Sequence, residues 1–280
     1  MGESENRGVE LLVDITPVQS NDFTWTFSVN GSYNQSKVLD VGDETDNIPV
    51  GSGDWQTPGG TIRHVEGNPM GEIWVTGYLR DEQGRKIINQ NNGLPINTPE
   101  PINFGSGIPK YVGGIGNTFR YKDLGFSFLI DFKLGHNLLS GLGHNLYRHG
   151  LDPRTLPGRE TGTIVVDGVA PDGSVNQREA NVYSLYGSYG SRREHVIYNA
   201  GFWKLRKVTL DYNLTSIVQD FLPVQNLVLS AVGNHLLVFK KWTEQHDPEQ
   251  VSFVGDDNVG ISGAALPMTR NVGFNLKIEI

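Results

Sequence analysis

The segment RNVGFNLKIEI, Arg270–Ile280, alternates without a break. Val272, Phe274, Leu276, Ile278 and Ile280 are apolar, while Asn271, Gly273, Asn275, Lys277 and Glu279 between them are polar or small. Successive side chains of a strand point to opposite faces, so a period of two reads as a strand with one apolar and one polar face. The apolar face must meet either a protein core or lipid, and that choice decides what the chain does. Two other segments repeat the pattern. In DFTWTFSVNGSY, Phe23, Trp25, Phe27 and Val29 alternate with Thr24, Thr26, Ser28 and Asn30; in LGFSFLIDFK, Phe126, Phe128, Ile130 and Phe132 alternate with Ser127, Leu129, Asp131 and Lys133. Aromatic and β-branched residues are strand formers, and about ten residues suit a tilted strand crossing a bilayer.

Four weaker runs complete the set: GVELLVDITPV (Gly8–Val18), VGGIGNTFRY (Val112–Tyr121), FWKLRKVTLDY (Phe202–Tyr212) and NLVLSAVGNHLL (Asn226–Leu237). In the third, the alternation slips near Trp203 and Leu205, which predicts a bulge. About seven strands result, and the links between them are short and long by turns. The links around 19–22, 122–123 and 214–225 are short. Those over roughly 34–111, 134–200 and 238–267 are long, and the first carries a small hairpin, with IWVTGYLR and RKIIN flanking DEQG. Strict alternation of short and long links is the habit of an outer-membrane barrel, with tight periplasmic turns and long extracellular loops.

The composition agrees. Of the 280 residues, 37% are hydrophobic and 19% charged, low values for a soluble globular chain, and glycine is abundant at 35. No window holds about 18 apolar residues, so no transmembrane helix is expected. Barrel strands are half polar and escape that test. A net charge of −8, with no basic tract, argues against a nucleic-acid partner. There is no cysteine, hence no disulfide framework and no thiolate metal site. Met1 is not followed by the charged and apolar regions of a signal peptide.

The order and wording of these strands resemble the C-terminal part of SusC-like (RagA-like) TonB-dependent outer-membrane transporters of Bacteroidetes. The stretches that carry the resemblance are RGVELLVDITPV, FTWTFSVNGSYNQSKV, GIPKYVGGIGNTFRYKDLGFSFLIDFKLG, GLDPRTLPGRETGTIVVDGV, NAGFWKLRKVTLDYNL, LVLSAVGNHLLVFKK and ALPMTRNVGFNLKIEI. No one of them is specific alone; their order is. The resemblance implies an all-β chain, residues 1–280, forming about seven antiparallel strands at the C-terminal end of a 22-stranded transmembrane barrel whose lumen is plugged. The plug domain and TonB box would lie outside it. It also implies nutrient uptake, most plausibly of glycans, with no enzyme activity and no cofactor. The implied partners are a SusD-like surface lipoprotein over the loops, the TonB complex reached through the absent N-terminal part, and outer-membrane lipid. Ile280 departs from the aromatic residue on which such strands commonly end.

On this reading Phe23, Trp25, Phe27, Phe126, Phe128, Ile130, Val272, Phe274, Leu276 and Ile278 face lipid, while Asn275, Lys277 and Glu279 face the lumen. In YSLYGSYGSRR, Tyr183, Tyr186 and Tyr189 recur every third residue of a long loop. Flat aromatic faces with polar tips suit a sugar or a partner protein, and they equally suit packing the loop against its neighbours. His136, His144 and His149 lie in a glycine-rich stretch; a metal site would want convergent geometry and a second shell, so they are read as polar loop residues before metal ligands. Asp81/Glu82 and Asp256/Asp257 sit in turn-like sequence, where turn chemistry accounts for an aspartate. Arg159 and Glu160 are expected to make contacts within their loop. GGIGNTFR lies inside a strand with no helix after it, so it is not a dinucleotide fingerprint. Two other readings stay open: a soluble carbohydrate-binding β-sandwich and a β-rich glycoside hydrolase. A sandwich would turn alternate apolar residues onto a core and have links of similar length at both ends.

Overall fold

The structure is a computed structural model and describes residues 2–42, 45–52, 59–187, 193–243, 246–249, 258–263 and 265–280. Strand β1 (Glu3–Gln19) turns through residues 20–22 into β2 (Phe23–Asp40). The first long connection carries β3 (Asn47–Ser52), β4 (Gly60–Val65), β5 (Glu72–Val75) and β6 (Ile102–Ser106), which pair in that order as an antiparallel sheet. Strands β7 (Tyr111–Tyr121) and β8 (Leu124–Leu134) are joined by Lys122 and Asp123 alone. Lys122 takes a left-handed φ of 50° to close that two-residue hairpin. The second long connection carries β9 (Asn137–Ser140), α1 (Gly141–Arg148), β10 (Thr163–Val165), β11 (Glu179–Asn181), α2 (Val182–Tyr186) and β12 (Ile197–Asn199). Strand β13 (Phe202–Asn213) is followed by one turn of helix, α3 (Thr215–Val218), and then by β14 (Asn226–Lys241). The third connection holds β15 (Ile261–Ser262) and leads to the last strand, β16 (Asn271–Glu279).

The seven strands expected from the alternation, and no others among the described residues, form one sheet in chain order, β1-β2-β7-β8-β13-β14-β16, each antiparallel to its neighbours. Its edges are β1 and β16, so it is a curved wall and not a closed barrel. The short links share one end: the Lys122 amide donates to the Asp22 carbonyl, and the Asn213 amide to Asp123. The last residue of β16 pairs with Asn226 at that same end. All three long connections leave from the other.

Register then sorts the side chains. Residues directly opposite in an antiparallel pair share a face. One row runs Ile15, Phe27, Asn117, Phe128, Val208, Gly233, Val272; the next runs Trp25, Phe119, Phe126, Leu210, Ala231, Phe274. All ten residues read as lipid-facing fall on this single face. The other face carries Asp14, Ser28, Gly116 and Leu129 in one row and Ser127, Thr209, Val232 and Gly273 in another. The expected bulge is present, as register shifts between Trp203/Lys204 and Leu205/Lys207 in β13, opposite His235 at a φ of 54°.

Two strands run further than the alternation suggests. β2 reaches Asp40, and β1 begins at Glu3, because residues 3–7, all of them polar, still pair with residues 35–40. The backbone ladder continues there after the apolar signal has stopped. Above that point the three long connections fold into one layer. Strand β9 pairs antiparallel with β12 and parallel with β15, joining the second connection to the third. Ile62, Ile73 and Val75 of the first connection, Leu139 and Val196 of the second and Ile261 of the third make a common core, all at most 1% exposed. The fit depends on missing side chains. A Cβ on Gly60 would stand 2.1 Å from the Leu139 side chain, and one on Gly107 would stand 2.5 Å from the Gly260 backbone.

Candidate functional site

Two regions are built for contact: the two faces of the wall, and the loop layer. On the apolar face aromatic side chains gather near each end. Tyr33 and Tyr111 lie 5.1 Å apart, and Phe132 stacks on Trp203 at 4.3 Å, near the long connections. Tyr121 and Tyr212 lie by the short turns, with Trp25, Phe119 and Phe126 stacked one pair further in. From Tyr111 to Tyr121, β7 rises about 33 Å at ~3.3 Å per residue. Tilted by ~40°, that spans about 25 Å, the height of a barrel's apolar band between its aromatic girdles. One polar side chain interrupts the band. Asn117 sits mid-strand, and its Oδ1 accepts from Trp25 Nε1 at 3.0 Å, so each satisfies the other's polar group.

The polar face carries an ion-pair network where the third connection begins. Lys204 is buried, and its Nζ lies 2.6 Å from Asp247 and 2.8 Å from Glu249. Arg206, in the bulge, donates from Nε to Asp131 at 2.8 Å, and its Nη1 lies 2.9 Å from Glu249. Lys204 is opposite Asp131 in register, so these groups lie on the polar face. Residues 246–249 of the third connection therefore fold back over the polar face of the wall. The two cations hold the Glu249 carboxyl below its ordinary range against the opposing effect of burial, the largest single influence on it.

In the second connection, a cavity of about 290 Å³ opens between the end of α1 and α2, among Arg148, His149, Arg159, Tyr183 and Tyr186. Both helices are capped by their sequence: Ser140 Oγ accepts from the Gly143 amide, and the Asn181 side chain from the amides of Tyr183 and Ser184. The tyrosines separate. Tyr186 packs edge-on against Tyr147 and donates its hydroxyl to the Pro157 carbonyl, which is loop packing. Tyr183 is 83% exposed and available. Tyr189, like Asp256 and Asp257, lies outside the described residues. Arg159 turns its guanidinium onto the carbonyls of Thr155 and Gly150, within its own loop as expected. Asp81 accepts from Arg85 within a turn and lies on the exposed hairpin tip.

The histidines are structural in placement. His144 in α1 is buried, and neither ring nitrogen has a hydrogen-bond partner among the described residues. Burial first, then nearby Arg193 and Arg148, push its pKa down to about 4; His136 and His246 are likewise pushed down to about 4, chiefly by burial. Among the described residues no three His, Asp or Glu side chains converge as a metal site would require. Sequence reasoning missed α1, α2 and the ion-pair network. Ser140 and Asn181 are legible capping signals for the helices. The network joins positions 131, 204, 206, 247 and 249, and no local pattern shows it.

No protein-family model matches the chain. Over 99% of its length it is 26% identical to TonB-dependent receptor P26 of Formosa agariphila, and over 86% it is 23% identical to TonB-dependent receptor SusC of Bacteroides thetaiotaomicron. The likeness is to TonB-dependent receptors, SusC among them. The chain spans only 29% and 24% of the lengths of these two relatives. Among solved structures, a chain of the RagAB peptide transporter superposes over 99% of this one with a TM-score of 0.69 at 14% identity, and the "open-open" RagAB peptide importer over all of it at 0.66. The chain thus has the fold of about 29% of a RagAB chain, here an open seven-stranded antiparallel wall under a layer of long loops.

Proposed function

We propose that this SusC-like chain is the C-terminal part of the barrel of a TonB-dependent transporter, acting in nutrient uptake and not in catalysis, with its apolar face in lipid and its polar face lining the lumen. The observation that carries the reading is the register: seven strands align every apolar alternation on one face, with aromatic rows about 25 Å apart. The sandwich and hydrolase readings need that face covered by a second layer, and the folded layer here lies at the end of the sheet, not over its apolar face. Glycans are the substrate class we favour, from the likeness to SusC, while the likeness to a peptide transporter makes oligopeptides the competitor. A SusD-like lipoprotein is the partner of the loop layer, with exposed Tyr183 among its contacts. Energy comes from the TonB complex through parts of the receptor outside this chain.

The test is Leu276→Arg against Lys277→Glu in the full-length transporter, scored as heat-resistant barrel in outer-membrane fractions. Leu276→Arg is expected to cost about 2–4 kcal/mol near the midplane, and Lys277→Glu far less because water reaches its face. Equal tolerance, or a worse Lys277→Glu, would remove lipid from the apolar face and bring the sandwich forward.

A further inference from the structure

The link between β13 and β14 is unlike the other two short turns. Those are tight and polar: Ser20, Asn21 and Asp22 in one, Lys122 and Asp123 in the other. Residues 214–225 instead wind through α3 and expose three large apolar side chains, Ile217, Phe221 and Leu222, the second of them 83% exposed.

Its hydrogen bonds fix where this apolar group sits. The Leu214 amide donates to the Leu227 carbonyl at 2.7 Å, and the Leu227 amide to Thr215 Oγ1 at 2.8 Å. Leu227 stands opposite Ile278 in register and so belongs to the apolar face. Yet Leu227 is 8% exposed where Ile278 is 51% exposed. The turn is bonded to both the amide and the carbonyl of Leu227, so it is fixed at the end of the sheet beside this buried residue of the apolar face and runs on past the last girdle residue of β13, Tyr212. The segment holds a single acid, Asp220, and no base.

We infer that residues 214–225 are an interfacial anchor, with Ile217, Phe221 and Leu222 entering the headgroup boundary of the leaflet at the short-turn end. The inference rests on the reading of the apolar face as lipid-facing. The partner is the lipid surface itself: the group is contiguous with the apolar band, lies beyond the aromatic row where headgroups begin, and is larger than the scattered single apolar residues normal on a surface. With no basic residue in the turn, apolar burial drives the insertion and attraction to anionic lipid does not. The anchor is therefore insensitive to salt.

The experiment uses the full-length receptor in vesicles of phosphatidylethanolamine and phosphatidylglycerol, carrying one nitroxide at a time. This chain has no cysteine to interfere; cysteines elsewhere in the receptor are replaced by serine. Labels go at Phe221→Cys, at Leu276→Cys on the wall and at Glu82→Cys on the hairpin tip of the loop layer, and collision with oxygen is compared with collision with a nickel chelate. Phe221→Cys is expected to read a several-fold higher oxygen-to-nickel ratio than Glu82→Cys, approaching Leu276→Cys, and to keep it in high salt. If Leu276→Cys reads lipid while Phe221→Cys reads water, or is shielded from both reagents as in a protein contact, the anchor is wrong and the wall stands. If Leu276→Cys itself reads water, both readings fall. Ile217→Cys replaces Phe221→Cys should that variant fail to give heat-resistant barrel.

Discussion

The wall and the loop layer solve opposite problems with the same kind of residue. Phe274 in the wall is 80% exposed in this chain, whereas Ile62 and Ile73 in the loop layer are fully buried. The wall has no core of its own. It is one sheet thick, and its apolar side chains have no second layer over them among the described residues; on the proposed reading they face lipid. The loop layer faces water and must bury its apolar residues as any small domain does, so it gathers them from three connections into one cluster. The difference predicts that the two regions fail separately.

The largest expected effect tests that separation. Ile73→Ala removes a fully buried side chain from the shared core and should destabilise the loop layer by about 2–5 kcal/mol. Limited proteolysis of the receptor should then cut the second and third connections as well as the first, while the heat-resistant barrel persists. Cleavage confined to the first connection would break the claim of a common core. A smaller effect sharpens the picture of the wall. Asn117→Leu strands the Trp25 indole N–H, and Trp25→Phe strands the Asn117 amide, each at about 1–3 kcal/mol. The double variant should recover most of that loss in a thermal-unfolding cycle, because an apolar pair needs no partner in hydrocarbon. Additive losses would place this pair in water.

A fall in pH should act on the loop layer alone. His136, His144 and His246 have folded pKa values pushed down to about 4 from an ordinary 6.5. Between those values the unfolded chain binds more protons than the folded one, so stability falls as pH drops from about 6.5 toward 4 and levels off below. Hydrogen exchange in the loop layer should quicken over that window while the wall strands keep their protection. His144→Gln, which removes one of the three titrating rings, should flatten the response.

The same contrast explains what the sequence made legible. Seven strands could be read because one apolar and one polar face impose a period of two, and each strand announces itself locally. The bulge near Trp203 showed as a slip in that period. The hairpin around residues 81–85 was legible from its turn residues, and the Asp81–Arg85 pair closes it. The four-stranded sheet and the shared core were not, since Ile62, Leu139 and Ile261 announce nothing about one another across such distances in sequence. Helix α1 was hidden by its glycines, and Tyr183 and Tyr186 could be divided into an exposed and a packed residue only once Tyr147 and Pro157 were in place.

The close passage of Gly107 against Gly260, together with Gly60 beneath Leu139, bears on how a loop layer of this kind can diversify. Loops at a cell surface are usually free to drift one at a time. Here each connection supplies a piece that the other two must accommodate, so a segment transplanted from another receptor into the first connection would meet foreign neighbours in the second and third. New specificity in this architecture comes most readily by exchanging all three connections together, as a single cassette on an unchanged wall.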